Sequence, residues 1–125
     1  MQILENADTC EVRQVDDDLV AEVRRRVDPE EASRLADLFR MLGDATRARI
    51  LFALLEAGDL CVCDIAEAVD TPESTVSHAL RLLRTAGIVR NRRSGRMIHY
   101  SLDDSHVRML LDLSIAHLRH GAVGQ

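Results

Sequence analysis

The sequence predicts a mainly α-helical chain with one small β-hairpin near its carboxyl end, on three observations. Apolar residues recur at helical spacing through most of the 125 residues. Capping and breaking signals at Asp28-Pro29, Gly43-Asp44, Gly58 and Gly87 cut that periodicity into segments of ordinary helix length. Only the stretch from Val89 to Leu102 turns strand-like, around a Ser94-Gly95 turn.

The elements follow in order. A first helix is expected from about Asp17 to Val27. Asp28 then offers an N-cap, Pro29 fits the first helical position, and Glu30 and Glu31 suit the positive end of a second helix reaching about Leu42. Thr46 to Arg49 opens a third helix whose Ile50, Leu51, Leu54 and Leu55 form a core stripe ending near Gly58. Val62 to Val69 reads as a short helix, Asp70 to Pro72 as a turn and N-cap region, and Glu73 to Ala86 as the second helix of a helix-turn-helix. Gly87 stops that helix; Val89 to Asn91 and Met97 to Leu102 read as the strands of a wing. Asp103 to about His120 is a last helix. Its Val107, Leu110, Leu111, Leu113, Ile115 and Leu118 cover more of the circumference than a surface helix requires, so it is built for another helix.

The length suits one domain, residues 17–121, preceded by a flexible acidic segment, 1–16, that carries Cys10. A domain this small gains from a partner, and a homodimer through the N- and C-terminal helices is expected. No apolar run reaches the roughly 20 residues of a membrane span, and the first residues lack the layout of a secretory leader, so a cytoplasmic chain without membrane partners is expected. Cys61 and Cys63 are too close to pair, and three cysteines cannot all pair within one chain, so reduced thiols are the default.

The formal charge of −5 is unevenly divided. Between Glu73 and Tyr100 the only acid is Glu73, against Arg81, Arg84, Arg90, Arg92, Arg93 and Arg96, while Glu5, Asp8, Glu11 and Asp16 to Asp18 make the amino end acidic. Within this basic stretch Val76, Leu80, Leu83 and Ile88 give the helix a dry face. Ser74, Thr75, Ser77, His78 and Arg81 give it a hydrogen-bonding one, and Arg92, Arg93 and Arg96 cluster at the hairpin tip. A helix of this kind running into an arginine-loaded wing has the layout for reading base edges and phosphates of double-stranded DNA. The plainer reading makes the arginines a solvated hairpin and the serines helix caps.

The last helix carries a second pattern. Asp104 and His106 lie at its start, and His117 and His120, three residues apart, share one face near its end. About 1.5 Å of rise per residue separates His106 from His117 by about 16 Å, so one helix cannot bring all four together. Two antiparallel copies in a symmetric dimer can, giving two equal inter-subunit sites. One carboxylate and three imidazoles suit tetrahedral Zn(II) and accept Co(II). Alternatively Asp104 is the helix N-cap, His106 a surface residue, and the two late histidines complement the helix dipole. A zinc hydrolase is a remote alternative, since a site saturated by protein ligands leaves no open coordination position.

Cys61-Val62-Cys63-Asp64 opens the first helix of the reading head, where a helix N-terminus is expected to favour a thiolate able to hold a soft metal. Cys10 is a third thiol, distant in sequence. Three thiolates suit Cd(II), Pb(II) or As(III), with water, Glu11, Asp16 or Asp17 as a further donor for cadmium. The alternative makes Cys61 and Cys63 small buried apolar residues and Cys10 incidental.

LGDATRARIL at Leu42 to Leu51, DLCVCDIAEAV at Asp59 to Val69, STVSHALRLLRTAGIV from Ser74 and the RRSGRMIHYSL wing together resemble the ArsR/SmtB family of winged-helix metal-sensing repressors. The resemblance spans nearly the whole chain. It implies a homodimer that binds an imperfect palindrome through Ser74, Thr75, Ser77, His78 and Arg81, with the wing arginines on the backbone or minor groove. It also implies release of the operator of efflux or detoxification genes on binding metal: Zn(II) first, with Cd(II), Pb(II) and Co(II) next and As(III) behind them. The family has an inter-subunit site on its last helix with the same D-x-H and H-x-x-H spacing, some members carrying a carboxylate where His120 stands. Its cadmium- and lead-responsive members join an N-terminal cysteine to a CVC motif, often with a second cysteine where this chain has Gln14. Arsenic-responsive members commonly carry a further cysteine where this chain has Ala66. An arsenite-, thiol-redox- or persulfide-responsive repressor acting through Cys61 and Cys63 is the alternative.

Overall fold

The computed structural model describes residues 8–123, in two compact units divided between Leu35 and Ala36. Of the expected acidic segment 1–16, residues 1–7 lie outside the described residues. The first unit holds α1 (Asp17–Arg26) and the opening turns of α2 (Pro29–Leu42). Asp16 caps α1, accepting from the Leu19 N–H at 3.1 Å, and Asp28 caps α2, accepting from the Glu31 N–H at 3.2 Å with Pro29 behind it. No residue of α1 is buried, and Leu19, Val23 and Val27 form an exposed stripe at i, i+4, i+8.

The second unit contains the rest of α2, then α3 (Ala45–Ala57), β1 (Asp59–Cys61), α4 (Val62–Ala68), α5 (Glu73–Thr85), β2 (Val89–Ser94), β3 (Met97–Leu102) and α6 (Ser105–Val123). The LGDATRARIL segment makes the corner between α2 and α3. Asp44 caps α3 by accepting from the Arg47 N–H at 3.0 Å, while the Arg47 Nε reaches back 2.7 Å to the Met41 carbonyl at the end of α2. One arginine thus satisfies groups at both helix ends.

Ile50, Leu51 and Leu54 of α3, Ile65 of α4, Val76, Leu80 and Leu83 of α5, and Ile88, Val89, Tyr100 and Leu102 beyond them form one buried core. Burial of each large aliphatic stabilises the fold by about 1.5–3 kcal/mol at most. Between α4 and α5 the chain reverses through Asp70, at φ 53°, and the Thr71 N–H closes on the Ala66 carbonyl at 3.0 Å. Asp tolerates this left-handed conformation better than most side chains, which permits so short a turn. The sequence expected an N-cap for α5 in this region, but Pro72 occupies that position and no side chain caps the helix.

The expected hairpin is two strands of a three-stranded antiparallel sheet in the order β1-β3-β2. β1 was not anticipated: Asp59–Cys61 is too short for alternation to signal a strand, and it exists because β3 offers it a second edge, pairing Leu60 with Tyr100 and Cys61 with His99. β2 also runs to Ser94 instead of ending at Asn91. Ser94 pairs with Met97, so the loop is Gly95-Arg96, with Gly95 at φ 63°, the first central position where a type II′ turn requires a positive φ. Arg92 and Arg93 therefore lie on successive strand positions and point to opposite faces; Arg96 alone sits at the tip.

Candidate nucleic-acid interface and metal centres

α5 separates its two faces cleanly. Val76, Ala79, Leu80 and Leu83 are buried, while Ser74, Thr75, His78 and Arg81 are exposed and Ser77 is half-buried. Without a side-chain cap, the N–H groups of the first turn are left for an external acceptor, and a phosphate oxygen is the chemically apt one. The direct-readout residues expected from sequence thus share one accessible surface.

The wing arginines differ from one another. Arg92 donates through Nε and Nη2 to both oxygens of Asp59, at 3.3 and 3.2 Å, and His99 Nδ1 lies 3.0 Å from Asp59 Oδ1. Asp59, His99 and Arg92 come from the three strands in turn, so the sheet assembles the cluster. Desolvation alone would raise the Asp59 pKa, but hydrogen bonds and charge from Arg92 and His99 more than offset it and hold the carboxyl below its ordinary 3.8. Arg93 makes only a long bond to the Gly95 carbonyl at 3.5 Å, so Arg93 and Arg96 are the freer cations. Asp59 was not anticipated as a partner of the wing; only the pairing of β1 with β3 brings it there.

α6 packs Val107, Leu111 and Ile115 inward, and Arg108 donates to the Leu55 carbonyl at the end of α3, at 3.3 Å. Met109, Leu113 and Leu118 stand 57%, 67% and 69% exposed, and His106, His117 and His120 are exposed too. On a helical projection Met109, Leu113, His106, His117 and His120 fall within about 80° of one another, away from the core-facing stripe. Asp104 caps the helix through Oδ1, accepting from the Val107 N–H at 2.9 Å, while Oδ2 faces His106 Nδ1 at 3.9 Å. Capping therefore leaves one carboxylate oxygen beside His106. In one chain the Asp104–His106 pair and the His117–His120 pair remain at opposite ends of α6.

Cys61 is buried at the N-cap of α4, its Sγ accepting from the Asp64 N–H at 3.4 Å; Cys63 and Cys10 are exposed, and all three are free thiols. The sequence expected a helix N-terminus to favour the Cys63 thiolate. Its pKa is instead raised: the Glu73 charge acts most, followed by desolvation, Cys61, the hydrogen bond to Glu73 and Asp64. Glu73 lies ten positions on, across the α4–α5 turn, and no pattern along the sequence signals that it acts on Cys63. Among the described residues of the single chain, no three His, Cys, Asp or Glu side chains are already arranged around one point. The donor chemistry fits heavy-metal ligation in both regions; at α6 it needs a second chain, and at the cysteines a further donor.

The profile described as "Bacterial regulatory protein, arsR family" matches residues 44–91, from the α3 cap into β2. A cadmium resistance transcriptional regulatory protein CadC homolog of Staphylococcus aureus is 37% identical over 92% of this chain and 95% of its own length. A transcriptional repressor SmtB homolog of Synechocystis is 43% identical over 76% of this chain and 75% of its own. The crystal structure of the antimony-specific transcriptional repressor AntR superposes with a TM-score of 0.71 at 32% identity, covering 96% of this chain and 97% of that one. Among the described residues no helix is long and apolar enough to cross a membrane. Uncapped reading helix, three-stranded wing and near full-length likeness to transcriptional regulators lead to one assignment: the chain belongs to the ArsR family of bacterial regulatory proteins, the group of metal-sensing winged-helix repressors that includes the CadC and SmtB relatives.

Proposed function

We propose that the chain is a cytoplasmic homodimeric repressor that holds a double-stranded operator and releases it on binding Zn(II) or another divalent heavy metal, thereby controlling metal efflux or detoxification genes. The observation that carries this reading is the outward face of α6, where exposed Met109 and Leu113 lie among three imidazoles. Apolar side chains on that face favour a second copy of α6, and an antiparallel crossing brings Asp104 and His106 of one protomer to His117 and His120 of its partner. The exposed stripe on α1 offers further apolar surface for the same association.

In the operator complex, α5 of each protomer enters the major groove with Ser74, Thr75, Ser77, His78 and Arg81, while Arg93 and Arg96, with Arg92 behind them, follow the backbone. Twofold symmetry calls for a palindrome with half-sites about one helical turn apart. Metal at the paired α6 helices favours a dimer geometry that spaces the two α5 helices wrongly. Binding energies must then differ between the two geometries, and a coupling of about 1–3 kcal/mol lowers operator affinity roughly 5- to 150-fold. Cys61, Cys63 and Cys10 form a second candidate set for Cd(II) or Pb(II), supported by the exposed Cys63 thiol beside Cys61 and by likeness to the CadC homolog.

Fluorescence anisotropy of the reduced protein on its upstream palindrome tests the reading. Zn(II)-driven release that survives Cys61→Ser and is lost in His117→Ala is expected. Release by Cd(II) alone, lost in Cys61→Ser, moves the switch to the cysteines, and salt-independent or absent DNA binding refutes the proposal.

A further inference from the structure

A cavity of about 190 Å³ opens where the first turns of α4 and α5 meet the wing, and its walls include Cys61, Cys63, Glu73, Ser77 and Arg96. Cys61, Cys63 and Glu73 line it together, close enough for the charges of Glu73 and Cys61 to act on Cys63. Two cysteines and one glutamate thus line the same cavity in a single chain. A first-turn glutamate also complements the helix dipole, but that role does not require it to line a cavity with two cysteines, and Glu73 does.

We propose that Glu73 is a metal ligand: its carboxylate adds an oxygen to the Cys61–Cys63 pair, so the pocket takes a borderline divalent cation, Cd(II) or Zn(II), in preference to trivalent arsenic or antimony. The selectivity follows from donor chemistry. Trivalent arsenic and antimony form pyramidal three-thiolate complexes and gain little from a carboxylate, whereas Cd(II) and Zn(II) accept mixed sulfur and oxygen sets. Loading replaces two thiol protons with one dication; two thiolates and one carboxylate then surround it with a net charge of −1, and both protons pass to solvent. Water is left to supply a further donor.

The three donors line the cavity without converging on one point. Closing the site therefore draws the first residue of α5 toward α4, and the displaced turn is the one bearing Ser74, Thr75 and Ser77. This gives the pocket a route to the reading helix within one protomer. The inference rests on the metal-responsive reading above and deepens its second candidate set, the one apart from α6.

The test uses the full-length, reduced protein carrying His117→Ala, so that α6 does not compete for metal. Cd(II) is titrated against a chromophoric chelator while sulfur-to-cadmium charge-transfer absorption is followed, and X-ray absorption counts the sulfur and oxygen neighbours. Glu73→Gln, nearly isosteric, is expected to lower Cd(II) affinity about tenfold or more, to remove one oxygen neighbour and to leave the sulfur count unchanged. Arsenite and antimonite affinity should not fall, and metal-free operator binding should be kept. Equal Cd(II) affinity with the same neighbours, or a parallel loss of arsenite binding, overturns the proposal. Absence of thiolate-bound Cd(II) overturns it too, and leaves the repressor reading intact if Zn(II) still releases DNA from the unmutated protein. Glu73-dependent Cd(II) binding in a protein that no metal releases from DNA has the opposite meaning: the site stands and the repressor mechanism falls.

Discussion

Arg92 and Arg93 are neighbours in sequence with different expected worth to DNA binding, and salt dependence separates them. The Arg92 guanidinium is held by two hydrogen bonds on the Asp59 carboxylate, so its charge is largely compensated before DNA arrives, whereas Arg93 has only a long contact to the Gly95 carbonyl. A cation that neutralises one phosphate contributes about 0.9 to the slope of log K against log salt. Arg93→Ala should therefore flatten the slope by about 0.9 per protomer, or about 1.8 for a dimer on two half-sites. Raising salt from about 50 to about 200 mM costs each such contact roughly 3.5-fold in affinity, well within what anisotropy resolves. Arg92→Ala should leave the slope nearly unchanged. Asp59→Asn, which frees Arg92, should steepen it by up to about 0.9 per protomer. Asp59 is held below its ordinary 3.8, so the compensation is present throughout the neutral range. The reasoning is refuted if Arg92→Ala flattens the slope as much as Arg93→Ala, because the Asp59 pair would then open on DNA.

Three further outcomes follow from particular contacts. Arg81→Ala should cost about 1–3 kcal/mol of operator binding and relax sequence preference, measured on a panel of single-base operator variants; uniform weakening would make Arg81 a phosphate contact instead. Asp104→Asn keeps a capping oxygen for the Val107 N–H but loses the anionic ligand. It should hold the unfolding midpoint while weakening Zn(II) binding, whereas Asp104→Ala should also lose about 1 kcal/mol of stability. In acid, the depressed Asp59 pKa implies a stabilising contribution that is full above about 3.8 and disappears as pH falls through the lower folded-state value. The stability gap between wild type and Asp59→Asn should thus be constant near neutrality and close in the acid limb of a pH-dependent denaturation series.

Local rules carried the helices. Asp28-Pro29 and Asp44 start them, Gly58 and Gly87 end them, and the inward residues of α3 and α5 follow the 3.6-residue period directly. The polar face of α5 was legible for the same reason, because burial of Val76, Leu80 and Leu83 dictates where Ser74, Thr75 and Arg81 point. Contacts with no local rule were not legible. β1 has three residues and exists through pairing with residues about 40 positions on, and Arg92 finds Asp59 across the same sheet, 33 positions away. Glu73 counted only as the lone acid in a basic stretch, yet it reverses the expected effect of the helix terminus on Cys63. In each case a pairwise contact outweighed a trend read along one segment.

The two candidate metal regions reach α5 by different paths, and this difference has functional weight. α6 is fixed to its own protomer through Val107, Leu111 and Ile115 and through Arg108 on the Leu55 carbonyl, so its inward side is part of the rigid core. Its candidate metal donors face the other way, and in the proposed dimer closing a site there would move one protomer relative to its partner more readily than it deforms the core. Release by that route changes the distance between reading helices and must depend on both half-sites being engaged. A metal at the proposed site in the cavity lined by Cys61, Cys63 and Glu73 would act within one protomer on the first turn of α5, the turn that lacks a side-chain cap. An uncapped terminus is the part of a helix that frays at least cost, so a ligand drawing on Glu73 works where the recognition helix resists least. Release by this second route needs no change in spacing and should persist on a single half-site, where the α6 route has nothing to misalign.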